Sequence, residues 1–179
     1  MMLGTALVTS EGAALYLYGK RRDQGGGMKP TIFDLDTYIC SKLPSRPGAV
    51  ARHKLAYGVF RYSIIKTGEP IVDAFVAALP LGPCFVSLLE HPNRTGDPNA
   101  LSADEKRMTD EVLQKLGAMS GRALAARSHR NYYEWRMMRE GMHDNQVKSC
   151  GHYREIKVST IRLLPQIQKQ GSNVGYPLL

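Results

Sequence analysis

The sequence predicts a mainly α protein: a compact helical bundle with a short extended or β-hairpin segment near residues 70–80. Three observations carry this. Apolar residues recur at three- and four-residue spacings through Leu55, Val59, Tyr62 and through Tyr57, Phe60, Ile64. Thr31-Ile32-Phe33-Asp34 and Ser102-Ala103-Asp104-Glu105 both have the spacing of a capping box, which marks the start of a helix. Pro70 and Pro80 fence the run Ile71–Ala77, which is too short for a stable helix and reads as extended.

Taken in order, the first capping box opens a short helix through Leu35, Tyr38 and Ile39. Ser45-Arg46-Pro47 begins a longer helix that reaches about Lys66, apolar over a wide arc and therefore central, and Gly68 closes it. Gly82-Pro83 forms a turn before a short helix through Val86, Leu88 and Leu89. The segment His91–Ala100 holds two Pro, a Gly and three Asn or Asp, so it is a loop. At that length it is expected to be mobile or functional. The second capping box opens a helix whose Met108, Val112 and Leu116 line one face before Gly117 ends it. Ser120 begins another short helix. Helical segments follow around Tyr132–Met138 and Thr160–Lys169, the last kinked or restarted at Pro165.

The chain divides into an N-terminal extension or linker over 1–27, one helical domain over 28–170 and a tail over 171–179. The first boundary is Lys20-Arg21-Arg22-Asp23-Gln24-Gly25-Gly26-Gly27, where three glycines after a charged run favour a linker. Glycine codons are purine-rich, as a ribosome-binding site is, and these directly precede Met28. Met28 is accordingly expected as an alternative start; the other reading is an N-terminal arm with a short strand over Ala14–Tyr18.

Over 179 residues, 43% hydrophobic and 22% charged residues are enough to bury a core. The net charge of +8 is uneven: residues 121–179 hold 10 basic and 4 acidic residues, net +6, and residues 1–120 only 14 against 12. An acidic partner is expected to meet the last third of the chain. Cys40, Cys84 and Cys150 are odd in number and far apart, which argues for a reducing cytoplasm and against a disulfide framework. No apolar run reaches the roughly 18 residues of a membrane span, and no membrane partner is expected.

Catalytic signatures are missing from the sequence: there is no P-loop, GxGxxG, HExxH or GxSxG. His143, Cys150 and His152 lack a nearby fourth ligand, so no metal and no cofactor is expected. Ser128 and His129, with Asp144 beyond them, do not make a nucleophile and base, because adjacent residues of a helix point about 100° apart. An enzyme is not expected. Tyr132, Tyr133 and Trp135 among Arg130, Arg136 and Arg139 admit three readings: core packing, a protein-binding surface or a nucleic-acid stacking surface.

The order of the motifs resembles the Panacea-domain family, the SocA-like and GepA-like antitoxins of bacteria and prophages. The resemblance runs from Pro30 to Met142, through Lys54-Leu55-Ala56-Tyr57-Gly58-Val59-Phe60, Thr67-Gly68-Glu69-Pro70-Ile71 and Ala77-Ala78-Leu79-Pro80-Leu81-Gly82-Pro83. It continues with Leu101-Ser102-Ala103-Asp104-Glu105-Lys106, Asp110-Glu111-Val112-Leu113, and Ser128-His129 followed by Trp135; Leu81 stands where the family has an aromatic residue. What the resemblance implies is a non-catalytic cytoplasmic antitoxin that neutralises a cognate toxin by direct binding, alone, as a dimer or in a toxin–antitoxin heterotetramer. It makes Tyr57, Gly82, Pro83, His129 and Trp135 structural motif residues, with Lys54, Arg130, Arg136 and Arg139 as partner-binding candidates. The alternative is a prophage-associated regulator that binds nucleic acid through the basic C-terminal third.

Overall fold

The computed structural model describes residues 29–141 and 154–169. Among them are seven α-helices and one two-stranded antiparallel sheet, a helical bundle with a hairpin. The expectations that fall on residues 1–28, on His143, Asp144, Cys150 and His152, and on the tail from 170 lie outside the described residues.

Helix α1 (Ile32–Lys42) starts at the first capping box, in which Thr31 and Asp34 bond each other's backbone. Helix α2 (Ala49–Thr67) begins later than its sequence signal, at Gly48, and ends at Gly68 in the left-handed region with φ 80°. Every residue from Ala51 to Arg61 is buried, which makes α2 the axis of the bundle. Strands β1 (Val76–Leu79) and β2 (Gly82–Phe85) pair with Val76 opposite Phe85 and Leu79 opposite Gly82 across the two-residue turn Pro80-Leu81. The extended segment thus sits a few residues later than expected: Ile71 and Val72 are buried but outside the strand, and Gly82-Pro83 opens β2 instead of forming the turn. On the other side of β1, Ala78 N–H donates to Arg154 O (2.9 Å) and Ile156 N–H to Val76 O (2.8 Å). The chain therefore returns late to lengthen the sheet.

Helix α3 (Val86–Glu90) follows β2 directly, and α4 (Ala103–Leu116) starts at the second capping box. Tyrosines fasten α4: Tyr38 donates to Asp110 at 3.1 Å, and Tyr62 donates to Glu111, which also receives Lys66 at 2.8 Å. Ser120 caps α5 (Gly121–Asn131), and α6 (Tyr133–Arg139) follows after Tyr132. Of the kink or restart expected at Pro165, the restart does not occur: helix α7 (Val158–Lys169) continues through that residue, and Ile161 and Leu164 anchor it in the core.

The 91–100 loop is held down. Arg52 Nη1 donates to Pro92 O (2.9 Å), Gly96 N–H to Thr37 Oγ1 (2.9 Å) and Asp97 N–H to Asp34 Oδ1 (2.6 Å). Gly96 lies so close to α1 that a Cβ there would fall 2.4 Å from the Asp34 nitrogen, which is why no larger residue fits. The turn residues read as a loop correctly; its attachment comes from side chains of α1 and α2.

Candidate functional site

The hairpin, α2, α5 and α6 meet at one joint, and the motif residues of the sequence gather there. Gly82 has φ 100°, a conformation that favours glycine, and a Cβ on it would come within 2.4 Å of Ser128 Oγ and 3.1 Å of Lys54 Nζ. The missing side chain lets β2 press against both helices. Pro83 has no N–H, but its carbonyl accepts from Lys54 Nζ at 2.7 Å. One residue earlier on α2, His53 Nδ1 accepts from Phe85 N–H at 3.3 Å and lies 3.2 Å from Cys84 Sγ. Two consecutive side chains of α2 thus satisfy the outer edge of β2, where another strand would otherwise pair.

This geometry fixes the protonation of the group. Because the Phe85 N–H donates to it, Nδ1 of His53 is unprotonated and accepts the thiol proton of Cys84 as well. Burial, then the charges of Lys54 and Arg52, lowers the His53 pKa to about 4. Burial also lowers Lys54 to about 8 and raises the Cys84 thiol to about 11, away from the thiolate that a nucleophile requires.

Lys54 is 3% exposed, and this corrects its expected role: an ammonium enclosed between the hairpin and α5 presents nothing to a partner. Among the described residues the Pro83 carbonyl is what receives it.

At the far side of the joint, Trp135 Nε1 donates to Leu79 O at 2.8 Å, and its ring stacks on His129 with centroids 4.4 Å apart and planes 2° from parallel. Trp135 is partly buried against the core, so it ties α6 to β1 as well as packing. Ser128 Oγ donates to Ala125 O at 2.7 Å, within its own helix, and the imidazole of His129 lies along the indole.

Below the joint is a buried ionic cluster that the sequence reading missed. Glu134, fully buried, accepts from Tyr57 Oη (2.7 Å) and Arg61 Nε (2.9 Å) on one oxygen, Oε1. Tyr132 packs edge-on against Tyr57, and the Arg61 guanidinium lies over the Tyr132 ring. Burial first, and the neighbouring Glu134 carboxylate second, holds the Tyr57 hydroxyl well above its usual pKa. A second pair, Arg52 with Asp36, joins α2 to α1. The available signal was charge inside an otherwise apolar helix: Arg52, His53 and Arg61 raise the same question of a partner that Lys54 does.

Of the three arginine candidates, Arg130 and Arg136 are exposed and Arg139 is partly buried. Arg154 closes the end of α6 by donating to Met138 O and Glu140 O. Among the described residues no three His, Cys, Asp or Glu side chains are grouped to hold a metal, and no helix is long and apolar enough to cross a membrane. The joint positions helices, and the exposed Arg130 and Arg136 present cations beside it. No family model, curated protein or solved structure matches the chain.

Proposed function

We propose that the chain is a divergent Panacea-domain antitoxin, a non-enzymatic cytoplasmic protein that neutralises a cognate toxin by binding it. One observation carries the reading. Lys54, Gly82, Pro83, His129 and Trp135, the positions that match the family's scattered motifs, lie up to 81 residues apart and yet meet at a single joint. Motif positions that build one joint are what a shared scaffold would retain. Lys54 belongs to that scaffold, and the exposed Arg130 and Arg136 supply the surface that meets an acidic patch of the toxin.

The test is expression of the adjacent reading frame with and without this chain. Growth arrest by the neighbour alone, relieved by this chain and accompanied by co-purification, is expected. A harmless neighbour, or a lethal one that this chain neither binds nor relieves, removes the reading. The nucleic-acid reading has its own observation: α5 and α6 hold Arg122, Arg127, Arg130, Arg136 and Arg139 against the single, buried acid Glu134. A shift of the operon's own promoter that weakens steeply with salt would favour it over the antitoxin.

A further inference from the structure

We propose that the cleft between the start of α2 and helix α3 is the anchor pocket for the toxin, and that it takes one aliphatic side chain from an acidic segment. The proposal rests on the antitoxin reading above and adds where the partner sits and what recognises it.

The cleft, about 50 Å³, is lined by Ala49, Arg52, His53, Leu88, Leu89 and Pro92. It has room for the end of one aliphatic side chain. Apolar surface is left in water here: Leu89, which lines the cleft, is 45% exposed. Val50, next to the lining residue Ala49 and facing Gly121 of α5, is 37% exposed, although α2 is wholly buried from Ala51 to Arg61. The central helix therefore emerges from the protein at its first turn, beside this cleft, and again at its last turn around Lys66 and Thr67. The wall is rigid. Arg52 is locked between Asp36 and Pro92 O, and His53 is locked to β2, so the pocket exists before a partner arrives.

Charge names the chemistry of the occupant. Residues 44–52, 86–94 and 120–122 contain Arg46, Arg94 and Arg122 against one acid, Glu90, besides Arg52, whose charge Asp36 already pairs. Neither α2 nor α5 has an acidic residue in its first turn, and the two starts touch: a Cβ on Gly121 would lie 3.4 Å from Val50 Cβ. An apolar pocket in a cationic rim matches an aliphatic residue flanked by Asp or Glu. The surface is also continuous with the arginines already assigned. Arg130 follows Arg122 by two turns of α5, about 12 Å along the helix.

The experiment uses the full chain and the product of the adjacent reading frame, with titration calorimetry for affinity and a melting curve for folding. Val50→Glu and Leu89→Glu are each expected to weaken binding by roughly 30-fold or more without lowering the melting temperature, since both positions are exposed. Val50→Lys, which keeps the sign of the rim, is expected to lose about tenfold less than Val50→Glu. If the wild-type chain binds and both Glu variants bind equally well, the cleft is overturned and the antitoxin reading stands. The same holds if those variants only dissociate a dimer of this chain, which would make a second copy the occupant. Equal losses from Val50→Lys and Val50→Glu overturn the acidic segment. Failure of the wild-type chain to bind overturns this proposal together with the reading on which it rests.

Discussion

Helix α2 carries two buried arginine–carboxylate pairs, and they are built differently. At its start, Arg52 meets Asp36 with two parallel bonds, Nε to Oδ1 at 2.9 Å and Nη2 to Oδ2, while Nη1 holds the Pro92 carbonyl. Both oxygens of that carboxylate are used. Nine residues on, Arg61 and Tyr57 both bond Oε1 of Glu134, and the buried Oε2 has no hydrogen-bond partner among the described residues. The first pair lies beside an open cleft and fastens a loop; the second lies at the centre and fastens α6. A fork with every acceptor filled offsets its desolvation better than a pair that leaves a carboxylate oxygen dry. The loop anchor is thus a stabilising contact, whereas the central pair depends on each partner to offset the burial of the other.

The largest effect should come from splitting the central pair. Glu134→Ala takes the carboxylate from the Arg61 guanidinium and the acceptor from the Tyr57 hydroxyl inside the protein, at a cost of about 3–5 kcal/mol. Replacing both partners, Arg61→Met with Glu134→Leu, in a Tyr57→Phe background should return stability to within about 1 kcal/mol of that background, because the unpaired oxygen goes and no buried hydroxyl is left without its acceptor. The matching Arg52→Met with Asp36→Leu should remain destabilised by about 1–3 kcal/mol, since Pro92 O loses its donor. Urea denaturation of the two double variants decides the matter. Equal stability would erase the distinction drawn between the pairs.

Next in size is a pH effect confined to the start of α2. Free histidine takes its proton near pH 6.5, and folded His53 only near pH 4. Between those values the unfolded chain binds the extra proton, so stability falls as the pH drops. About 2 kcal/mol should be lost between pH 7 and pH 5. Asn in place of His53 removes the titrating group, and its stability should be flatter over the same interval. A wild-type curve that is level from pH 7 to pH 5 would mean that His53 is not held neutral.

Trp135 probes the other end of the comparison. Trp135→Ala should cost about 2–3 kcal/mol, less than a fully enclosed tryptophan, because the ring is only partly buried. Toxin binding should survive at temperatures where the variant is folded. An unchanged melting temperature with lost co-purification would instead make the indole part of the interface.

The smallest contrast uses the two capping boxes. Asp34 is 9% exposed and also holds Asp97 N–H, whereas Glu105 is half-buried and bonds Ser102 at the cap of its own helix. Asp34→Ala should cost about 2 kcal/mol and Glu105→Ala about 0.5–1 kcal/mol. Melting curves that coincide would show that the loop contact adds nothing.

The residue pattern alone located both capping boxes, the Gly68 terminus, the Ser120 cap and the dominance of α2. These features rest on bonds between residues three or four apart, so a short window of sequence contains both partners. It also placed an extended or hairpin segment near residues 70–80, a few residues early and without its register, because Pro83 and Gly82 are admitted to β2 by Lys54 and Ser128 rather than by their neighbours. The tertiary structure alone decided the fate of the charges. Lys54 reads as a surface candidate until the hairpin, 29 residues away, folds over it. Arg61 finds Glu134 across 73 residues, and the 91–100 loop is fixed only when Gly96 reaches α1. A buried charge must be matched by whatever the fold brings beside it, and that neighbour is a property of chain topology, not of local sequence.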